Sequence, residues 1–119
     1  RTNVQDLSVV HVTGGGGNTT IGDEVTIGHR TVIHGCTVED RCLIGIGAIL
    51  LDGCVIGEGS VVGAGAVVTP RTIVPPGSLV LGTPARVVRP LREDESRLGS
   101  EGAARYVELG RSYLREGMK

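Results

Sequence analysis

Histidine is scarce in this chain: the 3 copies are His11, His29 and His34, all within the first 34 residues. An imidazole can exchange a proton near neutral pH or bind a metal ion through its free nitrogen. Three neutral imidazoles leave the full charge on a bound zinc ion and one coordination position open to water. The ion lowers the pKa of that water toward 7, which supplies metal-bound hydroxide as a nucleophile at neutral pH. Zn2+ is the cofactor that such a donor set leads one to expect. Such a site needs a scaffold that brings three separated residues onto one ion.

That scaffold is written in a six-residue period. An aliphatic residue recurs at Val38, Ile44, Leu50, Ile56, Val62, Val68, Val74 and Val80. Four residues after each stands Cys42, Ala48, Cys54, Ser60, Ala66, Thr72, Ser78 or Pro84, mostly small. Ile21, Ile27 and Ile33 keep the period one register out, and Val4 and Val10 begin the series. A period of six suits neither a helix nor a plain strand. It fits short strands joined by tight turns, three to a triangular circuit, with aliphatic residues filling the prism and small ones its corners. The expected fold is an all-β solenoid, a left-handed parallel β-helix of hexapeptide repeats, over residues 1–90.

Two irregularities interrupt the repeat. The segment containing Gly14 to Gly17 reads as a loop, about residues 12–20, extruded from a corner. Between Ile33 and Val38 one residue is missing, which tightens a corner. Both fall beside histidines. After Pro84 the period ends, and residues 91–119 are expected to form a C-terminal unit, helical from about Arg92 to Arg115. Leu98, Tyr106, Leu109 and Tyr113 are spaced for one helix face, packed on the side of the prism or on a neighbouring subunit. Gly99, Gly102 and Gly110 weaken that helix, each by about 1 kcal/mol relative to alanine.

Counting sides of the prism places the histidines. The hexapeptides beginning at Val10 and Ile33 are three sides apart once the loop is set aside, so they share a face on adjacent turns. His11 and His34 each follow the leading aliphatic by one, so they stack about 4.8 Å apart, close enough to share one ion. His29 lies on the neighbouring face, one turn above Asp6, with Gln5 on the edge toward His11. Around a corner of one prism His29 and His34 diverge, so a third ligand has to come from another subunit. The count therefore predicts a homotrimer with metal sites shared between chains. Cys42 and Cys54 fall in the small-residue column and Cys36 lies off the ligand positions, which makes all three packing residues.

Bulk properties narrow the function classes. The 119 residues suffice for one domain, with 20 glycines, no Phe and no Trp. The net charge of −1, with both signs interspersed, points to no nucleic-acid or membrane partner. No apolar run is long enough to span a bilayer. Three cysteines without a disulfide-like framework suit a reducing, cytoplasmic setting. The chain opens on Arg1 rather than methionine, as a fragment or processed form would.

With these residues in view, the sequence resembles the γ-class carbonic anhydrases and their bacterial relatives in the hexapeptide-repeat superfamily. The matching stretches are Asn3-Val-Gln-Asp6, Val9-Val-His11, Ile27-Gly-His29, Ile33-His-Gly-Cys36, Ile44-Gly-Ile-Gly47 and Pro75 through Ala85. The last stretch is common to hexapeptide proteins, whereas the histidine pattern with Gln5-Asp6 is specific. The resemblance implies a homotrimer with zinc, iron or cobalt between subunits, bound by His11 and His34 of one chain and His29 of the next. It implies hydration of CO2 to bicarbonate, with Gln5 hydrogen-bonded near the metal-bound water and Asp6 in the polar seam. The acidic residues that move protons in the founding enzymes have no counterpart between Val12 and Ile21, so proton removal is left to buffer or to a group that the pattern does not identify. An acyl-CoA thioesterase using the same hydroxide, a hexapeptide acyltransferase with one histidine as general base, and a catalytically silent metal-binding trimer are the alternatives.

Overall fold

The computed structural model describes residues 1–15 and 17–117. Twelve two- or three-residue strands wind the chain into a prism. The first circuit is β1 (Asn3–Val4), β2 (Val9–His11) and β3 (Thr20–Ile21); the second is β4 (Thr26–Ile27), β5 (Val32–His34) and β6 (Thr37–Val38). Then come β7 (Leu43–Ile44), β8 (Ile49–Leu50) and β9 (Val55–Ile56), followed by β10 (Val61–Val62), β11 (Val67–Val68) and β12 (Ile73–Val74). Each strand pairs in parallel with the strand one circuit away, giving three sheets: β1-β4-β7-β10, β2-β5-β8-β11 and β3-β6-β9-β12. This is the parallel β-helix that the six-residue period predicts.

The period works because one residue per side points inward. Ile27, Ile33, Val38, Ile44, Leu50, Ile56, Val62, Val68, Val74 and Val80 are all at most 1% exposed. Each such side chain contributes about 1.5–3 kcal/mol when fully buried. Cys42, Ala48, Cys54, Ser60, Ala66 and Ser78 are buried at the corners as the small column requires. The column fails at its end, where Pro84 is exposed and Ala85 is buried instead.

The C-terminal part differs from expectation in three ways. β13 (Ser78–Gly82) continues the first sheet, then turns back as an antiparallel hairpin with β14 (Ala85–Pro90). The helix α1 spans Leu98–Arg115 and is preceded by turns at 93–97, so it starts later than predicted. It packs along its own prism, beside β1, β4 and β7. Its inward side is made by Gly99, Gly102 and Ala103, whereas Leu98, Leu109 and Tyr113, three members of the expected packing face, are exposed.

The helix glycines are contact points rather than weak spots. A Cβ on Gly99 would lie 2.4 Å from the Cys42 carbonyl oxygen, and one on Gly102 would lie 2.5 Å from Thr26 Oγ1. Only glycine lets the helix backbone approach the sheet so closely. The approach is sealed by a buried hydrogen bond in which the Thr26 hydroxyl donates to the Gly99 carbonyl, 2.7 Å.

Candidate metal centre

His11 ends β2 and His34 ends β5, and the two strands run in register: Val9 opposite Val32, Val10 opposite Ile33, His11 opposite His34. Val10 and Ile33 face the prism axis, so the alternation of the strand turns both histidines outward. Their rings lie 5.3 Å apart between centroids and tilt by 39°. His11 Nδ1 and His34 Nε2 face each other at 3.3 Å. Two nitrogens on one tetrahedral zinc, each 2.0–2.1 Å from it, are separated by about 3.3–3.4 Å. The pair therefore has the spacing of two ligands on one ion. Imidazole nitrogens also bind other divalent first-row ions, with affinities that differ from metal to metal.

The other nitrogen of His34 is engaged. His34 Nδ1 contacts Asp52 Oδ1, and Asp52 Oδ2 accepts a hydrogen bond from the Thr13 hydroxyl, 2.9 Å. Bonding to His34, then to Thr13, holds the Asp52 carboxyl below its ordinary pKa. A carboxylate only accepts, so His34 Nδ1 is the donor to Asp52, and in the neutral ring Nε2 is then the nitrogen with the lone pair. Sequence reasoning missed Asp52. The signal was the shortened corner, which makes one circuit 17 residues here: Ile33 pairs with Leu50, so Asp52 follows the partner of His34 by one.

Gly35 admits that carboxylate. It adopts φ +61° at the tightened corner, and a Cβ there would stand 2.8 Å from Asp52 Oδ1. The extruded loop is fastened to the same place. Thr19 donates to the His11 carbonyl, 2.7 Å, and accepts from the Gly35 amide, 2.8 Å. Gly16 of that loop lies outside the described residues. A cavity of about 540 Å³ opens beside His11, lined by Val10, His11, Val12, Asn18, Thr19 and Thr20.

His29 stands elsewhere. It occupies the turn after β4, half-buried, in a cavity of about 380 Å³ shared with Val4, Gln5, Asp6 and the α1 residues Tyr106, Leu109 and Tyr113. Gln5 Nε2 donates to Asn3 Oδ1 at 3.1 Å, and Asn3 Nδ2 donates in turn to Thr26 Oγ1 at 3.1 Å. Asp6 is exposed, with its backbone carbonyl accepting from the Arg30 amide, 3.0 Å. Within one chain the structure thus brings His11 and His34 together and leaves His29, Gln5 and Asp6 as a second group. Among the described residues no three His, Cys, Asp or Glu side chains converge on a metal position.

The cysteines are core residues. Cys36, Cys42 and Cys54 are free and at most 1% exposed. Burial pushes the Cys42 thiol up to about 11. Cys54 is raised chiefly by its contact with Cys36, and the same contact lowers Cys36. Among the described residues, no helix is long and apolar enough to cross a membrane.

Comparison with known proteins adds a family but no substrate. Residues 35–70 match the model of the bacterial transferase hexapeptide family. A hexapeptide transferase family protein from Anaplasma phagocytophilum is 40% identical, with TM-score 0.88 over 94% of this chain and 65% of its own. This chain therefore spans just under two thirds of that relative. A Bacillus cereus protein assigned as an acetyltransferase is 30% identical, with TM-score 0.74 over 94% of this chain and 80% of its own. A Vibrio cholerae hexapeptide-repeat acetyltransferase, solved with acetyl coenzyme A, is 35% identical with TM-score 0.60 over 71% and 55% of the two chains. None of the three is described as a carbonic anhydrase, so the specific resemblance is carried only as far as the superfamily. No curated protein matches the chain.

Proposed function

The chain belongs to the hexapeptide-repeat transferase superfamily, and we propose that within it this protein is a metal-dependent enzyme that works as a homotrimer. His11 and His34 of one chain and His29 of the next bind each ion in this reading. The observation that supports it most directly is the 3.3 Å approach of His11 Nδ1 to His34 Nε2. When bound, zinc supplies a hydroxide nucleophile at neutral pH. The proposed substrate is CO2, hydrated to bicarbonate, on the strength of the histidine pattern with Gln5 and Asp6.

The chain's own residues bind and orient. His34 offers Nε2 because Asp52 holds the proton on Nδ1. His11 sits at the mouth of a cavity with no charged residue among its described lining, which suits a small neutral substrate. Gln5 and Asp6 share the corner of His29 and so enter a shared site with it. No carboxylate lies between Val12 and Ile21, so the hydration rate is expected to rise with buffer concentration.

Acyl transfer is the second reading, favoured by the acetyltransferases among the similar structures. His34 with Asp52 behind it has the form of an oriented general base. Against it, the nitrogen that would take the proton faces His11. Metal analysis of anaerobically purified protein, joined to CO2 hydration and acetyl-CoA assays, separates the two. The metal reading expects about one ion per chain, and His29→Ala that keeps the β-helix but loses the ion. Metal-free protein that moves an acetyl group to an acceptor would overturn it in favour of acyl transfer. Thiol release without an acceptor would assign the centre to thioester hydrolysis, and a loaded trimer without turnover would leave it a silent metal binder.

A further inference from the structure

We infer that Asp52 is a positioning residue for the metal centre: clipped by Thr13, it selects the His34 tautomer and aims Nε2 at the ion. The inference rests on the metal reading above and extends it to a residue on the next circuit, outside the histidine pattern.

Three observations meet at this corner. Asp52 touches the one nitrogen of His34 that does not face His11. Its second oxygen is held by Thr13, so the carboxylate is fixed at both ends rather than free to swing. Gly35, in a left-handed conformation with no Cβ, leaves the space through which the carboxylate reaches the ring. An unrestrained imidazole divides between two tautomers, and in one of them the ligand nitrogen carries a hydrogen and cannot bind. A fixed carboxylate removes that tautomer and also makes the ring a stronger donor. Thr13 belongs to the extruded loop, which is fastened again by Thr19 to the His11 carbonyl and the Gly35 amide. The loop therefore acts as a brace behind both histidines.

Asp52→Leu, Asp52→Asn and Thr13→Ala test this, with two readouts on the full chain. The first is 15N chemical shifts of the His34 ring in metal-free protein at about pH 8.5, where imidazoles are neutral. Wild type is expected to show the Nδ1–H form almost exclusively. Leucine, of similar size but no acceptor, is expected to mix the tautomers; asparagine retains an acceptor and keeps the Nδ1–H form. The second readout is Co2+ or Zn2+ titration: leucine is expected to weaken binding 10- to 100-fold, with smaller losses for asparagine and Thr13→Ala. Asp52 is half-exposed at a turn, so the fold should survive, and circular dichroism checks it. Wild-type tautomers and metal affinity in Asp52→Leu would overturn the inference. Wild type that binds no metal would overturn the proposed function instead, while the ring shifts still decide the role of Asp52.

Discussion

Along one column of the second sheet stand Val10, Ile33, Leu50 and Val68, paired rung on rung. Val10 is 46% exposed, and the other three are fully buried. The circuits without histidines, from β7 to β12, keep a strict period of six, bury one aliphatic per side and lend the histidines a single carboxylate, Asp52. The first two circuits, β1 to β6, carry every histidine, the extruded loop and the shortened corner. Regular rungs leave outward side chains evenly spaced and apart. A missing residue shifts the register so that a carboxylate from the next circuit reaches a histidine, and a loop adds hydroxyls to fasten it. Chemistry sits where the repeat is broken, while the unbroken rungs supply the stability to hold it.

The sharpest way to break this comparison is to remove the same inward residue from each half. Leu50→Ala is expected to cost about 2–5 kcal/mol of unfolding free energy, since the site is fully buried and cannot collapse easily. Val10→Ala is expected to cost under about 1 kcal/mol, in proportion to its smaller burial. Denaturant melts of both variants decide the matter, and equal losses would show that another surface covers the first rung in solution.

A smaller effect is expected where the helix meets the regular part. Gly99→Ala pushes a methyl into the backbone carbonyl of Cys42 and should destabilise by about 1–3 kcal/mol, although alanine favours a helix by about 1 kcal/mol. A stabilised variant in thermal or denaturant melts would mean the helix does not dock as described. Hydrogen exchange would show whether loosening is confined to α1 and the adjoining β4.

The smallest effect concerns the turn before the helix. Arg89 first, then the Arg92 amide, hold the Glu95 carboxyl down at about 2, and Arg89 is raised by the same pairing. The folded pKa lies below the ordinary value of 4.5. The contribution is therefore complete above about pH 4.5 and is lost as pH falls toward about 2. Glu95→Gln should flatten the acid limb of the stability curve over that window, more at low salt. An unchanged limb would show that the pair adds nothing measurable, as exposed pairs often do.

The prism was legible in the sequence down to individual inward residues. Periodicity of six is imposed locally on every side, so reading a few repeats constrains the rest, including the stacking of His11 on His34. The hairpin of β13 with β14 was not legible, because Ala85 replaces Pro84 as the buried residue where the chain reverses. The inward side of α1 was misplaced for a related reason. Spacing identifies a helix face by its large apolar residues, but here the contact surface is small: Gly99, Gly102 and Ala103.

The sequence by itself determined the fold, the register of the two stacked histidines and the placement of His29 on another corner. These follow from counting, since each side advances the chain by a set number of residues. Only the tertiary structure decided that Asp52 sits behind His34, that Thr13 and Thr19 fasten the loop there, and that Gly35 and Gly99 are contact points. Those facts depend on which side chain leans across a corner and how much room its neighbour leaves. A one-dimensional pattern carries spacing; it carries no record of direction or clearance.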